Sequence, residues 1–398
     1  MKNKDLSRWL SPLSLLAFVL GLVLGLWQPQ LFPPIAFLGN IYVNMLKLIV
    51  IPLLMTEVAC GVYESSHGAG NRLVKTVGLF VVMFVVSFLV TAVLVTLISP
   101  GTGLDLFEGE WDGTVAAVSL GAFVESLFPS NLFAAMSAGS ILPCLIFAFV
   151  FGIMAEKAKA KHAMVVMGEL RDVLSRILRC IMWLTPLGVF SLMGSAAGSY
   201  GTQLLSVFGR YILVAWGCCA VVVVLVMMLP LWVFCRISPL TYLRRLGQIW
   251  LITLSTCSSA ATLPTTMRVC NEEFGVPESV TSLVVPLGCT IHMCGGAVSF
   301  CLLGLFTMQM AGLPVTTPFF LQMLLVATLM NMAAPGIPGG GIVLGATYLT
   351  ILGAPTGFIG LYSGIYRLLD MAYTTLNVTG DVTANVLIAK SEEKKTKR

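Results

Sequence analysis

Charge is what this sequence has least of. Only 10% of its 398 residues are Asp, Glu, Lys or Arg, against about 25% in soluble proteins. With 57% hydrophobic residues and a mean hydropathy of +0.94, a soluble class is excluded and an integral membrane protein is implied. The net charge of +5 sits in loops and at the ends, so no nucleic-acid partner is expected. The eleven cysteines form no CxxC pair, and most, including Cys180, Cys218, Cys219 and Cys301, read as small buried hydrophobes. Period-two alternation is missing too, which excludes a membrane β-barrel. No nucleophile–base pair or catalytic metal motif appears, so the chain is not expected to be an enzyme and no cofactor is implied.

What is present is long apolar runs. The stretches 80–98 and 211–235 each match the ~20 residues a helix needs to cross a bilayer. Spans are predicted near 12–28, 35–62, 74–98, 116–154, 173–198, 207–235, 276–311 and 356–389. The first is read as a retained helix, because no small-residue cleavage site follows it before "LWQPQ". Lys2, Lys4 and Arg8, then Arg72 and Lys75, then "EKAKAKH", then Arg236, Arg244 and Arg245, and the tail "KSEEKKTKR" would all fall inside. Asp105, Glu108, Glu110 and Asp112 would fall outside. That pattern obeys the positive-inside rule and puts both termini in the cytoplasm of a multi-pass protein in the cell (inner) membrane.

Two segments are not simple spans. Residues 248–271 and 317–354 each place a polar or glycine-rich middle, "STCSSAATLP" or "MAAPGIPGGG", between apolar arms. Irregular backbone at membrane depth is tolerated only where protein or a watery cavity surrounds it. Paired interrupted segments point to a transporter's substrate site. The last span adds a polar stripe. At about 100° per residue, Tyr366, Tyr373, Thr374, Asn377 and Asp381 all fall within about 60° of Asp370. Two membrane carboxylates need something positive, and Arg367 reaches only the edge of the stripe, too far round to satisfy both. A substrate ammonium, a cation or a proton fits.

Several motifs carry a resemblance: "LKLIVIPLL", "SPGTG", "SSAATLPTTM", "PGIPGGG" and, above all, "LDMAYTTLNVTGDVTANVLIAK". Over nearly its whole length the chain resembles the glutamate transporter homologues, the dicarboxylate/amino acid:cation symporters, as a divergent, neutral-amino-acid-like bacterial member. The resemblance implies an all-α polytopic membrane protein of eight transmembrane helices plus two re-entrant helical hairpins. It also implies inverted repeats, a homotrimer and an elevator mechanism. Residues 1–72 would form scaffold helices 1–2, 73–100 the transport-domain helix 3, and 101–200 scaffold helices 4–5. Residues 201–390 would complete the transport domain and 391–398 a cytoplasmic tail. The second hairpin would gate the site, its glycines letting the backbone flex.

The resemblance also assigns residues. Asp370 matches the aspartate that holds a substrate ammonium, and Asn377 the asparagine that donates to the α-carboxylate. Ser258 and Ser259 match hairpin serines that receive that carboxylate; Ile337, Gly341 and Thr374 match pocket positions. Tyr373 stands where acidic-amino-acid members have an arginine that would pair with a side-chain carboxylate. Gly296 replaces a threonine at the same end. A neutral amino acid is therefore expected.

The stretch "TIHMCGGAV", residues 290–298, departs most. His292 and Cys294 replace the Asn and Asp that help bind one sodium, and Phe80, Met83 and Phe84 replace its helix-3 ligands. Sodium wants hard oxygen ligands, so that site is expected to be lost. Two further sodium sites use mostly backbone carbonyls. One matches Gly288, His292 and Asn377 plus the Asp381 carboxylate; the other matches Thr290, Met293, Asn331, Met332 and Ala334. Cys257 and Met371 stand where an arginine would support potassium counter-transport. His292 and Cys294 are too few for zinc, and on a continuous helix they would face about 200° apart. His292 could instead titrate, or sit neutral inside the bundle. The sequence therefore leads to an amino-acid:sodium symporter. A proton-coupled symporter, an acidic amino acid or dicarboxylate carrier, and a non-cycling sensor or ion-conducting relative remain the alternatives.

Overall fold

The computed structural model describes residues 7–66, 70–103, 125, 128–138, 141–331, 340–355 and 358–396. Among these the chain is helical, with no strand. In chain order the helices are α1 (Ser7–Trp27), α2 (Ala36–Ser66), α3 (Gly70–Ile98), the short α4 (Leu132–Ser137), α5 (Ile141–Lys157), α6 (Lys161–Met182), α7 (Thr185–Tyr200), α8 (Gln203–Val222) and α9 (Leu229–Cys235). Then come α10 (Pro239–Thr256), α11 (Ser259–Glu272), α12 (Glu278–Ile291), α13 (Cys294–Met310), α14 (Thr317–Asn331), α15 (Gly340–Leu352) and α16 (Ile359–Thr396).

Three helices among the described residues are long and apolar enough to cross a membrane: Arg72–Ile98, Leu205–Cys235 and Glu278–Met310. Leu16–Trp27 with Pro29–Tyr42 would make a fourth, but that pair bends by 117°. The other expected spans differ for identifiable reasons. Residues 104–124, which carry the acidic loop and the start of the span at 116–154, lie outside the described residues. The single span expected at 173–198 is two helices, α6 and α7, interrupted at Trp183–Leu184, with Pro186 opening the second. The last helix runs on to Thr396, so residues 391–396 of the expected tail continue it as helix.

Small residues let helices approach closely where no water drives them together. α1 packs along α7, and a side chain on Gly21 or Gly25 would strike the backbone of Phe190 or Gly194. α8 and α9 are joined by a π-helical turn, Val223–Met228. Pro230 follows it; lacking an N–H, proline removes a rung, and a π-bulge absorbs such a break.

The interior is α13 and α16. Nearly every residue of α13 is buried. α16 is in contact with α7, α8, α9, α10, α11, α12, α13 and α15. Both interrupted segments appear as helix pairs whose arms pack on each other, α10 with α11 and α14 with α15. The first arm begins at Pro239, nine residues before the expected boundary, because Ser238 caps it by accepting from the Thr241 amide at 3.3 Å. The first break is tight: Cys257 takes a left-handed conformation (φ 50°), and Ser258 restarts the chain as an N-cap, accepting from Ala261 N at 3.2 Å.

Candidate functional site

The span expected to run unbroken over 276–311 is split. His292 leaves the helix at φ −116°, ψ 91°, Met293 is also non-helical, and α13 starts afresh at Cys294. This break has two consequences. It opens the N-terminus of α13 onto the polar stripe of α16. It also turns His292 and Cys294 toward each other, with Nε2 to Sγ at 3.1 Å, so the expectation of opposite faces fails because no continuous helix joins them.

A cavity of about 50 Å³ lies between α16, the start of α13 and the starts of both returning hairpin arms. Asp370, Tyr373, Thr374, Asn377 and Tyr366 line it from α16. Gly295, Gly296, Ser299 and Phe300 line it from α13, Ser259 from α11, and Gly341 and Leu344 from α15, with Met293 at the break. The N-termini of three helices thus converge on one space, an arrangement that favours an anion. Ile337, Met332 and Ala334 lie outside the described residues. Ser258 is not among the described lining residues, because its hydroxyl caps α11. Ser299, Phe300 and Leu344 were not anticipated; nothing in their local sequence sets them apart from other buried helix positions.

Two carboxylate-stripe residues are oriented by their neighbours. Thr374 Oγ1 donates to Asp370 Oδ1 at 3.0 Å, which fixes the acid at the cavity wall. The Gly295 amide donates to Asn377 Oδ1 at 2.7 Å. Since an N–H must meet the carboxamide oxygen, the Asn377 amide group is the end left to donate. An ammonium at Asp370 and a carboxylate near Asn377 and the helix N-termini is an arrangement these groups can hold. Arg367 donates to the Ser255 carbonyl at 3.1 Å, tying α16 to the first hairpin. Gly341 lies against the Tyr366 hydroxyl, and a side chain there would collide with it.

Tyr373 is buried, and its hydroxyl approaches Tyr211 on α8. No Lys, Arg or His lines the cavity among the described residues. Gly296 leaves room for Asn331: a Cβ at 296 would lie 2.7 Å from Asn331 Oδ1.

Behind the cavity, His292 is wholly enclosed. Its Nδ1 is 2.9 Å from Asp381 Oδ1, and Phe80 stacks on the ring at 4.3 Å and 8°. Met83 and Phe84, the other two helix-3 positions, are buried and apolar. The imidazole thus lies between the Phe80 ring and the Asp381 carboxylate. Of the carbonyl positions, Gly288 packs against the Asp381 carboxylate, and its oxygen accepts the His292 amide at 2.9 Å. Met293 and Asn331 meet at Gly296. The Thr290 hydroxyl donates to the Leu287 carbonyl. His292, Cys294 and Asp381 do not amount to a metal cluster: no group of three or more His, Cys, Asp or Glu able to hold one exists among the described residues.

The model of the sodium:dicarboxylate symporter family matches residues 10–391. That match takes in the broken α12–α13 segment, both hairpin-forming helix pairs and the polar stripe of α16. The chain therefore belongs to the sodium:dicarboxylate symporter family, and it is a membrane transporter rather than an enzyme.

Proposed function

We propose that this protein imports a neutral α-amino acid across the cell membrane by symport, with sodium as the coupling ion and one of the family's sodium sites lost. The observation that carries the substrate reading is the asymmetry of the cavity. Asp370 and Asn377 offer a carboxylate and an amide donor at one end. At the other, Tyr373 stands without any lining cation among the described residues. Burying a substrate carboxylate there would leave a charge unpaired, which costs several kcal/mol or more.

Coupling by fewer sodium ions is supported by the apolar replacement at Phe80, Met83 and Phe84 and by the retention of Asp381. Proton coupling is the second reading, and the 2.9 Å contact between His292 and Asp381 favours it. We take the transport domain to be residues 73–100 and 201–390, moving against a scaffold of 1–72 and 101–200 as an elevator within a homotrimer. Both termini would lie in the cytoplasm.

Uptake into proteoliposomes under separately imposed sodium and proton gradients tests this reading, with aspartate, serine, alanine, threonine and larger neutral amino acids as substrates. Sodium-driven uptake of a neutral amino acid is the expected result. High-affinity aspartate uptake would overturn the substrate assignment. Indifference to sodium would overturn the coupling. Binding without flux, or an uncoupled current, would favour a sensor or an ion conductor.

A further inference from the structure

Away from the cavity at Asp370, a larger one opens at the surface where α2, α5 and α6 meet. Its volume is about 570 Å³, and Tyr63, Glu156, Lys157, Lys159 and Lys161 line it. The corner beneath it is packed: Cys60, Ala155 and Met164 are buried together, with Tyr63 and Met167 against them. The turn from α5 to α6 is tight. Lys159 takes a left-handed conformation (φ 54°), and the Ala160 amide donates to the Ala155 carbonyl at 2.9 Å. Three lysines are thereby crowded around one glutamate, and none of the three makes an ion pair among the described residues. Ala160, the N-cap of α6, offers no side-chain oxygen to the first amides, so the positive end of that helix lies beside the same lysines.

An apolar stripe leads away from this charge along α6. Val166, Leu170, Val173 and Ile177 follow the i, i+4, i+7, i+11 spacing of one helix face. Met164 and Ile181 on the inner side are buried, but these four are 63%, 46%, 52% and 46% exposed. At 1.5 Å per residue the stripe runs about 16 Å, close to half of the ~30 Å hydrocarbon thickness of a bilayer. It matches one leaflet, with Lys161 about 7.5 Å beyond its first residue, toward the headgroups. The segment "EKAKAKH", which holds all three lysines, reads as cytoplasmic by the positive-inside rule, and the cytoplasmic leaflet is the anionic one. A free anion would use the lysines and leave the stripe uncovered. A zwitterionic lipid would cover the stripe and leave the excess positive charge unmet.

Resting on the proposed orientation in the membrane, we infer that this corner binds an anionic phospholipid of the cytoplasmic leaflet. Lys157, Lys159 and Lys161 hold its phosphate, and an acyl chain lies along Val166, Leu170, Val173 and Ile177.

The test titrates phosphatidylglycerol, phosphatidylcholine or inorganic phosphate into the purified full-length transporter in detergent, with melting temperature reporting binding. Phosphatidylglycerol should raise it at concentrations where the other two have no effect. A lysine at the membrane surface is worth about fivefold in affinity. The combined Lys157→Gln, Lys159→Gln and Lys161→Gln variant should therefore bind phosphatidylglycerol about 100-fold more weakly. Leu170→Gln with Val173→Gln, which keeps every lysine, should weaken it as well. All five side chains belong to exposed residues, so both variants should melt like the wild type before lipid is added. Equal stabilisation by phosphatidylcholine would overturn the headgroup site, and equal stabilisation by phosphate would overturn the lipid. Unchanged phosphatidylglycerol affinity in the lysine variant would overturn the assignment outright. A smaller oligomer in the stripe variant, read by light scattering, would mean that a second copy of the chain covers that face, and would overturn it too. Labelling of these lysines by a membrane-impermeant amine reagent on whole cells, lost in the lysine variant, would instead defeat the orientation alone.

Discussion

Replacing Gly288 by alanine probes the contact on which the interior of this transporter turns. A Cβ at 288 would collide with Asp381 Oδ1, lie 2.7 Å from its Cγ and stand 3.3 Å from Phe80 Cζ. Asp381 is 2% exposed, so it has no route to solvent. Its displacement must come at the expense of the 2.9 Å contact with His292, and Phe80 must give way with it. Overpacking of this kind costs about 1–3 kcal/mol. Losing a buried hydrogen bond and stranding its partner costs about 1–3 kcal/mol more. Alanine recovers about 0.5–1 kcal/mol through helix propensity. The net expectation is a loss of roughly 1–5 kcal/mol, measured by thermal or SDS-induced unfolding of purified protein in detergent. Gly78→Ala is the control. Position 78 is also in a helix but has nothing within 4 Å of its would-be Cβ, so it should be neutral or slightly stabilising. If the two variants unfold alike, α12 and α16 do not meet at Gly288 and Asp381 as described, and the account of the buried pair fails.

Four further outcomes follow from the same geometry. Asp370→Asn removes the carboxylate held by Thr374 and should raise the KM for an amino acid by about 10- to 100-fold, by the 1.5–3 kcal/mol of a charge-assisted bond; an unchanged KM would detach Asp370 from the ammonium. Gly295→Ala drives a methyl into the Tyr373 backbone and should abolish substrate binding, read by substrate-induced thermal stabilisation. His292→Ala frees Asp381 Oδ1 and opens space beside Phe80, so the variant should gain a larger sodium-dependent rise in melting temperature than the wild type; an identical sodium response would mean that His292 does not obstruct that site. Glu392→Gln breaks a two-point ion pair with Arg72 (2.6 and 2.7 Å), but both side chains are about 30% exposed. Its cost should stay near 1 kcal/mol or below and shrink in high salt.

The sequence alone determined the membrane class, because scarcity of charge and long apolar runs leave no other way to bury that surface. Its polar stripe and interrupted segments, with the motifs that resemble the symporters, also pointed to residues that line one cavity. Asp370, Tyr373, Thr374 and Asn377 share a face by helical period alone, and the cavity forms along that face. What period and motif could not give were contacts made across helices. The backbone turn at His292 depends on α3 and α16 packing around it, and only that turn lets His292 reach both Cys294 and Asp381. Ser299 and Leu344 read as ordinary core positions until α13 and α15 meet α16. Asn331 was legible only as a backbone position; that its carboxamide stands where a side chain on Gly296, 35 residues earlier, would be shows only in the fold. Local chemistry repeats along a helix and can be read in one dimension; mutual exclusion between side chains from distant segments exists only in three.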